Sequence, residues 1–292
     1  MSEAPYAQTA HLSEGHSKGI TAVAFNGEGT YLATASLDGT VCLWNTSTWG
    51  LVDTYRSGKA VVSLTWFANN ALVCGLEDGN MSSLVKDDEH ITISGFWAHR
   101  YPVEHIAACG KLVASGAHEE LKVWDWNTNG TSMFLLPAST RHPPTSEHDG
   151  PEILVTGVAW AQSALVATYL HHGIRLYDTE QWKLVRVIAT RGSTISSSLS
   201  PNGGYLAATN LGVGFDVYNL GSGKVIRTFE HNIVAHGRAV PVLFVHGGHA
   251  ILGGSTTGSI KIWYIDSAQQ LAPMAIPRTS SPYPVRVAVH YA

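Results

Sequence analysis

Short apolar strands and glycine turns alternate along the chain. The segment ATASLDGTVCLW (33–44) combines an apolar strand, a tight Asp-Gly turn and a second strand that ends in Trp44. An Asp-Gly pair between apolar runs is a strong signal for a β-hairpin. Comparable hairpins follow at 74–85, 114–125, 167–178, 208–219 and 253–264. The pattern predicts an all-β chain built from repeated hairpins.

The last apolar residue of each hairpin marks a repeat. These anchor residues are Trp44, Leu84, Trp124, Tyr177, Tyr218 and Trp263. Their spacings are 40, 40, 53, 41 and 45 residues. A period of about 40 with strand content is typical of four-stranded propeller blades. The first strands are predicted at 20–25, 61–66, 103–108, 154–160, 194–199 and 240–245. The fourth strands are predicted at 51–56, 90–97, 132–137, 183–188, 224–229 and 270–276. We therefore expect a β-propeller with six complete blades in one domain, 1–292.

The two ends of the chain each add one strand-like segment. Residues 6–12 resemble a fourth strand with no blade before it, and 284–291 resemble a first strand with no hairpin after it. A circular array of sheets must join its ends or leave exposed edges. We expect a partial seventh blade from these segments, left either by a truncated gene product or by a sequence that ends early. The long connection 138–152 is interpreted as a flexible flap, with partner contact as the alternative.

Composition limits the classes of protein that remain. The hydrophobic fraction of 45% and the charged fraction of 14% indicate a chain that forms a core. The net charge of −4 gives no general reason to expect nucleic acid or an anionic membrane as partner. The chain has three cysteines and no CxxC pair, and it shows neither a secretory signal nor an apolar run of about 18 residues. These features favour an intracellular protein, cytoplasmic or nuclear, with no membrane segment.

The run Gly15–Asn45 resembles a repeat of the WD-repeat (Trp-Asp, WD40) β-propeller family. It has the Gly-His opening, the apolar first strand, the Asp-Gly turn and the Trp-Asn close. The resemblance implies a ring of seven blades in which one blade is built from both termini. It also implies a non-catalytic platform that binds other proteins. A buried hydrogen-bonded network is implied for His16, Ser36, Asp38 and Trp44.

The same His, Ser and Asp could instead form the catalytic triad of a hydrolase, which is recognised by its geometry. The fixed positions of the Asp-Gly turn and the Trp favour a structural role, because buried polar networks often serve to specify a fold. No GxSxG motif supports the catalytic alternative.

One basic residue precedes the first strand of every complete blade. These residues are Lys18, Lys59, Arg100, Arg141, Arg191 and Arg238. A ring of six positive charges would focus a positive potential suited to an acidic or phosphorylated peptide. The alternative is that they are ordinary solvated loop residues, partly neutralised by Glu14, Glu104 and Asp149.

The sequence lacks the common motifs for binding nucleotides or metals. No GxxxxGK[ST] or GxGxxG phosphate loop occurs, and the 15 histidines lack ligand spacing with Cys or carboxylates. We therefore expect no cofactor, no metal and no enzyme activity. Two alternatives remain, an enzyme that uses the mouth of the propeller channel and a nucleic-acid-binding propeller.

Overall fold

The structure is a computed structural model. It describes residues 9–12, 14–68, 70–86, 90–127, 130–135, 152–231, 240–255, 259–271, 274–275 and 288. Within these residues the chain forms 24 strands and one short 3-10 turn, His246–Gly248. No helix in this part of the chain is long and apolar enough to cross a membrane.

The strands form six four-stranded antiparallel sheets, which we call blades 1 to 6 in chain order. Blade 1 contains β1 Ile20–Phe25, β2 Tyr31–Ser36, β3 Thr40–Asn45 and β4 Leu51–Arg56. Blade 2 contains β5 Val61–Ala68, β6 Ala71–Leu76, β7 Asn80–Lys86 and β8 Ile91–Trp97. Blade 3 contains β9 His105–Cys109, β10 Leu112–Ala117, β11 Glu120–Asn127 and β12 Gly130–Leu135.

The remaining three blades repeat this order of strands. Blade 4 contains β13 Val155–Ala161, β14 Ala164–Tyr169, β15 Gly173–Asp178 and β16 Leu184–Ile188. Blade 5 contains β17 Ser197–Leu199, β18 Tyr205–Asn210, β19 Gly214–Asn219 and β20 Val225–Glu230. Blade 6 contains β21 Val242–Val245, β22 Ala250–Gly254, β23 Ser259–Tyr264 and β24 Met274–Ala275. The all-β prediction from the hairpin pattern is confirmed.

The anchor residues occupy one equivalent position in every blade. Each lies on the third strand, opposite an apolar residue of the second strand. The six pairs are Leu32 with Trp44, Leu72 with Leu84, Val113 with Trp124, Leu165 with Tyr177, Leu206 with Tyr218 and Ile251 with Trp263. All six anchors are buried. Because the register is the same in each hairpin, each anchor is presented to the same side of its blade.

Neighbouring blades bury their faces against each other. The first strands of successive blades contact one another, from β1 with β5 through to β17 with β21. Five apolar clusters each join residues of two consecutive blades. Because both faces are covered, β2 and β6 are apolar and buried along nearly their whole length, whereas much of the outer strand β16 is exposed.

Hydrogen bonds between the first strands of neighbouring blades also hold the blades together. The indole N–H of Trp66 in blade 2 donates to the carbonyl of Ala24 in blade 1 at 2.9 Å. Trp160 in blade 4 repeats the contact on Ala107 in blade 3, also at 2.9 Å. An aromatic ring with one polar atom suits such a place, because it packs against apolar neighbours and pairs its N–H.

The predicted partial blade and the predicted flap lie largely outside the described residues. Of segment 6–12 the structure describes 9–12, of 284–291 it describes 288, and of 138–152 it describes 152. Leu12 packs against the cluster of Leu32, Cys42 and Trp44 in blade 1. The number of blades and the closure of the ring stay predictions.

Candidate functional site

A chain of hydrogen bonds ties the loop before blade 1 to its hairpin. His16 Nε2 lies 2.7 Å from Thr34 Oγ1, and His16 Nδ1 lies 2.7 Å from Thr40 Oγ1. Trp44 Nε1 donates to Thr34 Oγ1 at 2.9 Å, and Thr40 Oγ1 donates to Asp38 Oδ1 at 2.5 Å. Because Thr40 Oγ1 donates to Asp38, it accepts from His16 Nδ1–H. Thr34 Oγ1 accepts from Trp44 and so donates to His16 Nε2, which means that the proton of a neutral His16 is on Nδ1. The network runs from the buried indole to the carboxylate in the turn.

Ser36 does not occupy the place that the sequence prediction gave it. The hydroxyl between His16 and Trp44 belongs to Thr34, two residues earlier on the same face of β2. Ser36 Oγ instead accepts from the Asp38 backbone N–H at 3.1 Å and donates to the Lys18 carbonyl at 3.3 Å. It lies at the end of the strand, where it stabilises the turn and the preceding loop.

Blade 3 carries a second network of the same kind, which the sequence prediction missed. His99 Nε2 lies 2.7 Å from Ser115 Oγ, to which Trp124 Nε1 donates at 2.7 Å. His99 Nδ1 lies 2.8 Å from Glu120 Oε2. Lys122 Nζ lies 3.1 Å from the same carboxylate oxygen and donates to the Ala98 carbonyl at 2.7 Å. The acid therefore comes from the start of β11.

A sequence signal for this second network exists. Ser115 and Trp124 lie nine residues apart on one hairpin, and the hydrogen-bonded pair Thr34 and Trp44 lies ten residues apart in blade 1. The preceding loop carries His99 as blade 1 carries His16. Because the turn has His118 where blade 1 has Asp38, alignment on the turn residue alone conceals the match.

Burial keeps both imidazoles neutral. It lowers the pKa of His99 to about 4, although Glu120 opposes the shift. It lowers the pKa of His16 as well, against the effect of Asp38. Burial alone would raise the pKa of Asp38, but hydrogen bonds from the Thr40 side chain and the Ser17 and Thr40 backbone hold it well below its usual range.

This geometry does not form a hydrolase triad. Both ring nitrogens of His16 are occupied by threonine hydroxyls, so neither can take a proton from Ser36. Within the described part of the chain, no group of three or more His, Cys, Asp or Glu side chains could hold a metal ion.

Four of the six predicted loop cations lie in the described residues. Lys18, Lys59, Arg100 and Arg191 are all exposed, and each precedes the first strand of a blade. The strand order places these loops on the side of the sheets that carries the β2–β3 and β6–β7 turns. Arg141 and Arg238 lie outside the described residues.

The four cations differ in their neighbours. Arg100 Nε lies 3.9 Å from Glu120 Oε1, so part of its charge is balanced by the blade 3 network. Arg191 Nη1 donates to Thr228 Oγ1 at 3.3 Å. Neither Lys18 nor Lys59 forms an ion pair with another residue that the structure describes. Three of the four thus present an uncompensated charge to solvent.

The fold and the repeated hairpin networks define a β-propeller protein. The WD domain, G-beta repeat (WD40) family model matches residues 8–45. The β-propeller domain of Cps50 (Swd1) from Myceliophteria thermophila superposes with a TM-score of 0.73 at 17% identity, over 90% of this chain and 88% of that chain. Residues 8–45 are therefore similar to a WD40 repeat, and the chain has the fold of a β-propeller.

Curated relatives match most of this chain at low identity. The Periodic tryptophan protein 2 homolog of Caenorhabditis elegans is 26% identical over 270 residues, which cover 87% of this chain and 27% of that protein. Striatin-4 of Mus musculus is 23% identical over 287 residues, which cover 86% of this chain and 36% of that protein. The chain spans 27% to 40% of the length of such relatives.

Thr34 should contribute more to stability than Ser36. Replacing Thr34 with Val removes a hydroxyl that serves both His16 and Trp44, and it leaves two buried groups unpaired, at a cost of about 2 kcal/mol. Ser36→Ala removes two longer hydrogen bonds at the strand end and should cost about 1 kcal/mol. Urea unfolding of the two variants measures this difference. An equal or larger loss for Ser36→Ala would contradict the assignment.

The buried His99 should make folding sensitive to mild acid. Its pKa is about 4 in the folded protein and about 6.5 in an unfolded chain. As the pH falls from about 6.5 to about 4, the unfolded state gains a proton that the folded state does not bind, so the free energy of unfolding decreases. The expected loss from this residue is about 3 kcal/mol.

The variant His99→Gln tests this expectation by urea unfolding at pH 7.5 and pH 4. It should lose about 3 kcal/mol less between these pH values than the wild type does. The matched control is His90→Gln, which makes the same substitution at an exposed residue. A His99→Gln variant with the full wild-type pH dependence would show that His99 is not held neutral.

Proposed function

We propose that this protein is a non-catalytic interaction platform that binds acidic or phosphorylated segments of partner proteins. The binding surface is the side of the propeller that carries the loops before each first strand, and we call it the cation face. The observation that supports the proposal is the recurrence of an exposed cation, Lys18, Lys59, Arg100 or Arg191, in equivalent loops of four described blades.

A rigid sheet scaffold suits this role. Each loop leads directly into a blade whose strands pack against a neighbouring blade, so the charges keep their spacing. Arg binds carboxylate and phosphate through two parallel hydrogen bonds, and Lys binds them as a point charge. Several such charges along a surface attract one acidic segment more strongly than any single exposed pair would.

The relatives agree with an interaction role without naming a partner. The matched regions lie within longer proteins, of which this chain covers between 27% and 40%. The networks of blades 1 and 3 use their ionisable groups for structure, which removes the strongest candidates for catalysis on this side.

Charge reversal on the cation face should abolish binding of an acidic probe. The test variant combines Lys18→Glu, Lys59→Glu and Arg191→Glu. The control variant makes the same change of net charge with Lys111→Glu, Lys183→Glu and Lys224→Glu, which are exposed residues in turns on the opposite side. The probe is a fluorescein-labelled hexaglutamate peptide, with a doubly phosphorylated serine peptide as second probe, followed by fluorescence anisotropy.

We expect at least a tenfold weaker affinity for the test variant and little change for the control. Binding by the wild type should also weaken as salt is raised, because exposed charges are screened. Equal losses for both variants, or tighter binding of a single-stranded oligonucleotide than of either peptide, would overturn the proposal.

A further inference from the structure

A cavity of about 400 Å³ lies between blades 1 and 2. Its apolar wall includes Tyr55 from β4, Trp66 from β5 and Leu84 from β7. Its polar lining includes Asp53, Asn70 and Lys86. This volume lies within the range of pockets that hold small organic groups.

The cavity is explained by the anchor residue of blade 2. In blades 3 to 6 the anchor packs into the cluster shared with the preceding blade, and it is Trp or Tyr in each case. In blade 2 the anchor Leu84 faces blade 1 in the same way, beside Leu43 and Leu72. A leucine side chain is smaller than an indole or a phenol, so the space that an aromatic ring fills elsewhere is left open here.

Blade 2 has also lost the polar partner of that ring. Thr34 and Ser115, which accept the indole N–H in blades 1 and 3, lie two residues after the anchor's partner on the second strand. The equivalent residue in blade 2 is Cys74, which is fully buried in the apolar cluster. Around Leu84 and Cys74 this interface is therefore apolar, without the hydrogen-bonded hydroxyl and indole of blades 1 and 3.

The mouth of the cavity carries both signs of charge. Lys86 Nζ lies 3.3 Å from Asp53 Oδ2, and the two side chains are 30% and 34% exposed. Asn70 Nδ2 donates to the Lys86 carbonyl at 2.9 Å. An ammonium, a carboxylate and an amide side by side can accept a backbone N–H and donate to a backbone carbonyl of a bound peptide.

This mouth lies on the side of the propeller opposite to the cation face. Asn70 is in the turn between β5 and β6, and Lys86 ends β7, whereas the cations precede first strands. The pairing of strands in each blade places these two sets of turns at opposite ends. A segment bound here therefore does not compete with one bound to the cation face.

We propose that the cavity binds an aromatic side chain, presented by a peptide segment of a partner protein. The ring takes the place that the anchor aromatic fills in the other blades and packs against Tyr55, Trp66 and Leu84, as aromatic pairs do in interfaces. Asp53 and Lys86 bind the backbone groups next to it. This inference deepens the proposed platform function, because it adds a second docking site of different chemistry.

The experiment uses the full chain and N-acetyl-tryptophanamide, an uncharged probe that carries one indole between two amide groups. Ligand-detected NMR titration should give saturable binding with a dissociation constant of about 1 mM or tighter. N-acetylglycinamide, which has the amides but no ring, should not bind. Absence of saturable tryptophanamide binding, or equal binding of both probes, would overturn the proposal.

Two substitutions at adjacent positions locate the site. Leu84→Trp restores the anchor aromatic and should weaken probe binding at least tenfold. Val85→Trp adds the same indole at an exposed residue that does not line the cavity, so binding should stay within twofold of wild type. Leu84→Phe is a smaller filling variant for use if the tryptophan cannot be accommodated, and thermal unfolding shows that each variant is folded. Unchanged binding in the filling variants would overturn the proposal.

The two docking proposals fail separately. The variant that carries Lys18→Glu, Lys59→Glu and Arg191→Glu should bind N-acetyl-tryptophanamide as the wild type does, because its changes lie on the cation face. The variant Leu84→Trp should bind the hexaglutamate peptide normally. Loss of probe binding in the charge-reversal variant would show that the aromatic site is not the cavity.

Discussion

The structure depends on the packing of each blade against the next. In blades 2 to 6 the anchor residue lies in an apolar cluster that it shares with the blade before it. Burying such a side chain contributes about 1.5–3 kcal/mol, and the same contact recurs along the array. Stability in repeat proteins of this kind comes mainly from the units and their nearest-neighbour interfaces.

The polar networks act within this apolar framework. In blades 1 and 3 a buried histidine connects the preceding loop, the second strand and the turn. Such a network fixes the position of the loop relative to the hairpin, because every polar atom must keep its partner. Blade 5 uses a different solution, in which buried Asp216 receives hydrogen bonds from Asn210, Tyr218 and Thr228. Blades can therefore exchange one network for another while the anchor position remains buried.

The two proposed docking sites follow from the polar networks and from the apolar packing between blades. The loops held by the networks carry exposed cations, and charge on a rigid surface selects an acidic partner. The cavity arises where the repeat departs from its own pattern, at Leu84. One site thus relies on charge and the other on shape and apolar contact, and they lie at opposite ends of the strands. A platform with both can hold two segments at once.

The sequence predicted the parts that the repeat makes explicit. The all-β propeller class was predicted correctly from the hairpins, because an Asp-Gly turn and a period of about 40 constrain strand pairing strongly. Thr34 was not identified, because Thr34 and Ser36 share a face of β2 and pattern alone does not say which hydroxyl meets His16. The His99 network was missed because its acid comes from Glu120 instead of the turn. The cavity could not be predicted, since a leucine in place of a tryptophan is compatible with either a collapsed or an open interface.

Native-state hydrogen exchange measured by mass spectrometry tests the central claim most directly. If packing between blades carries the stability, the middle hairpins of blades 2 and 4 should exchange as slowly as those of blades 1 and 3, although only the latter contain the histidine networks among the described residues. Outer strands such as β16 should exchange faster in every blade. Slow exchange confined to the hairpins of blades 1 and 3 would contradict the account and would make the polar networks the main source of stability.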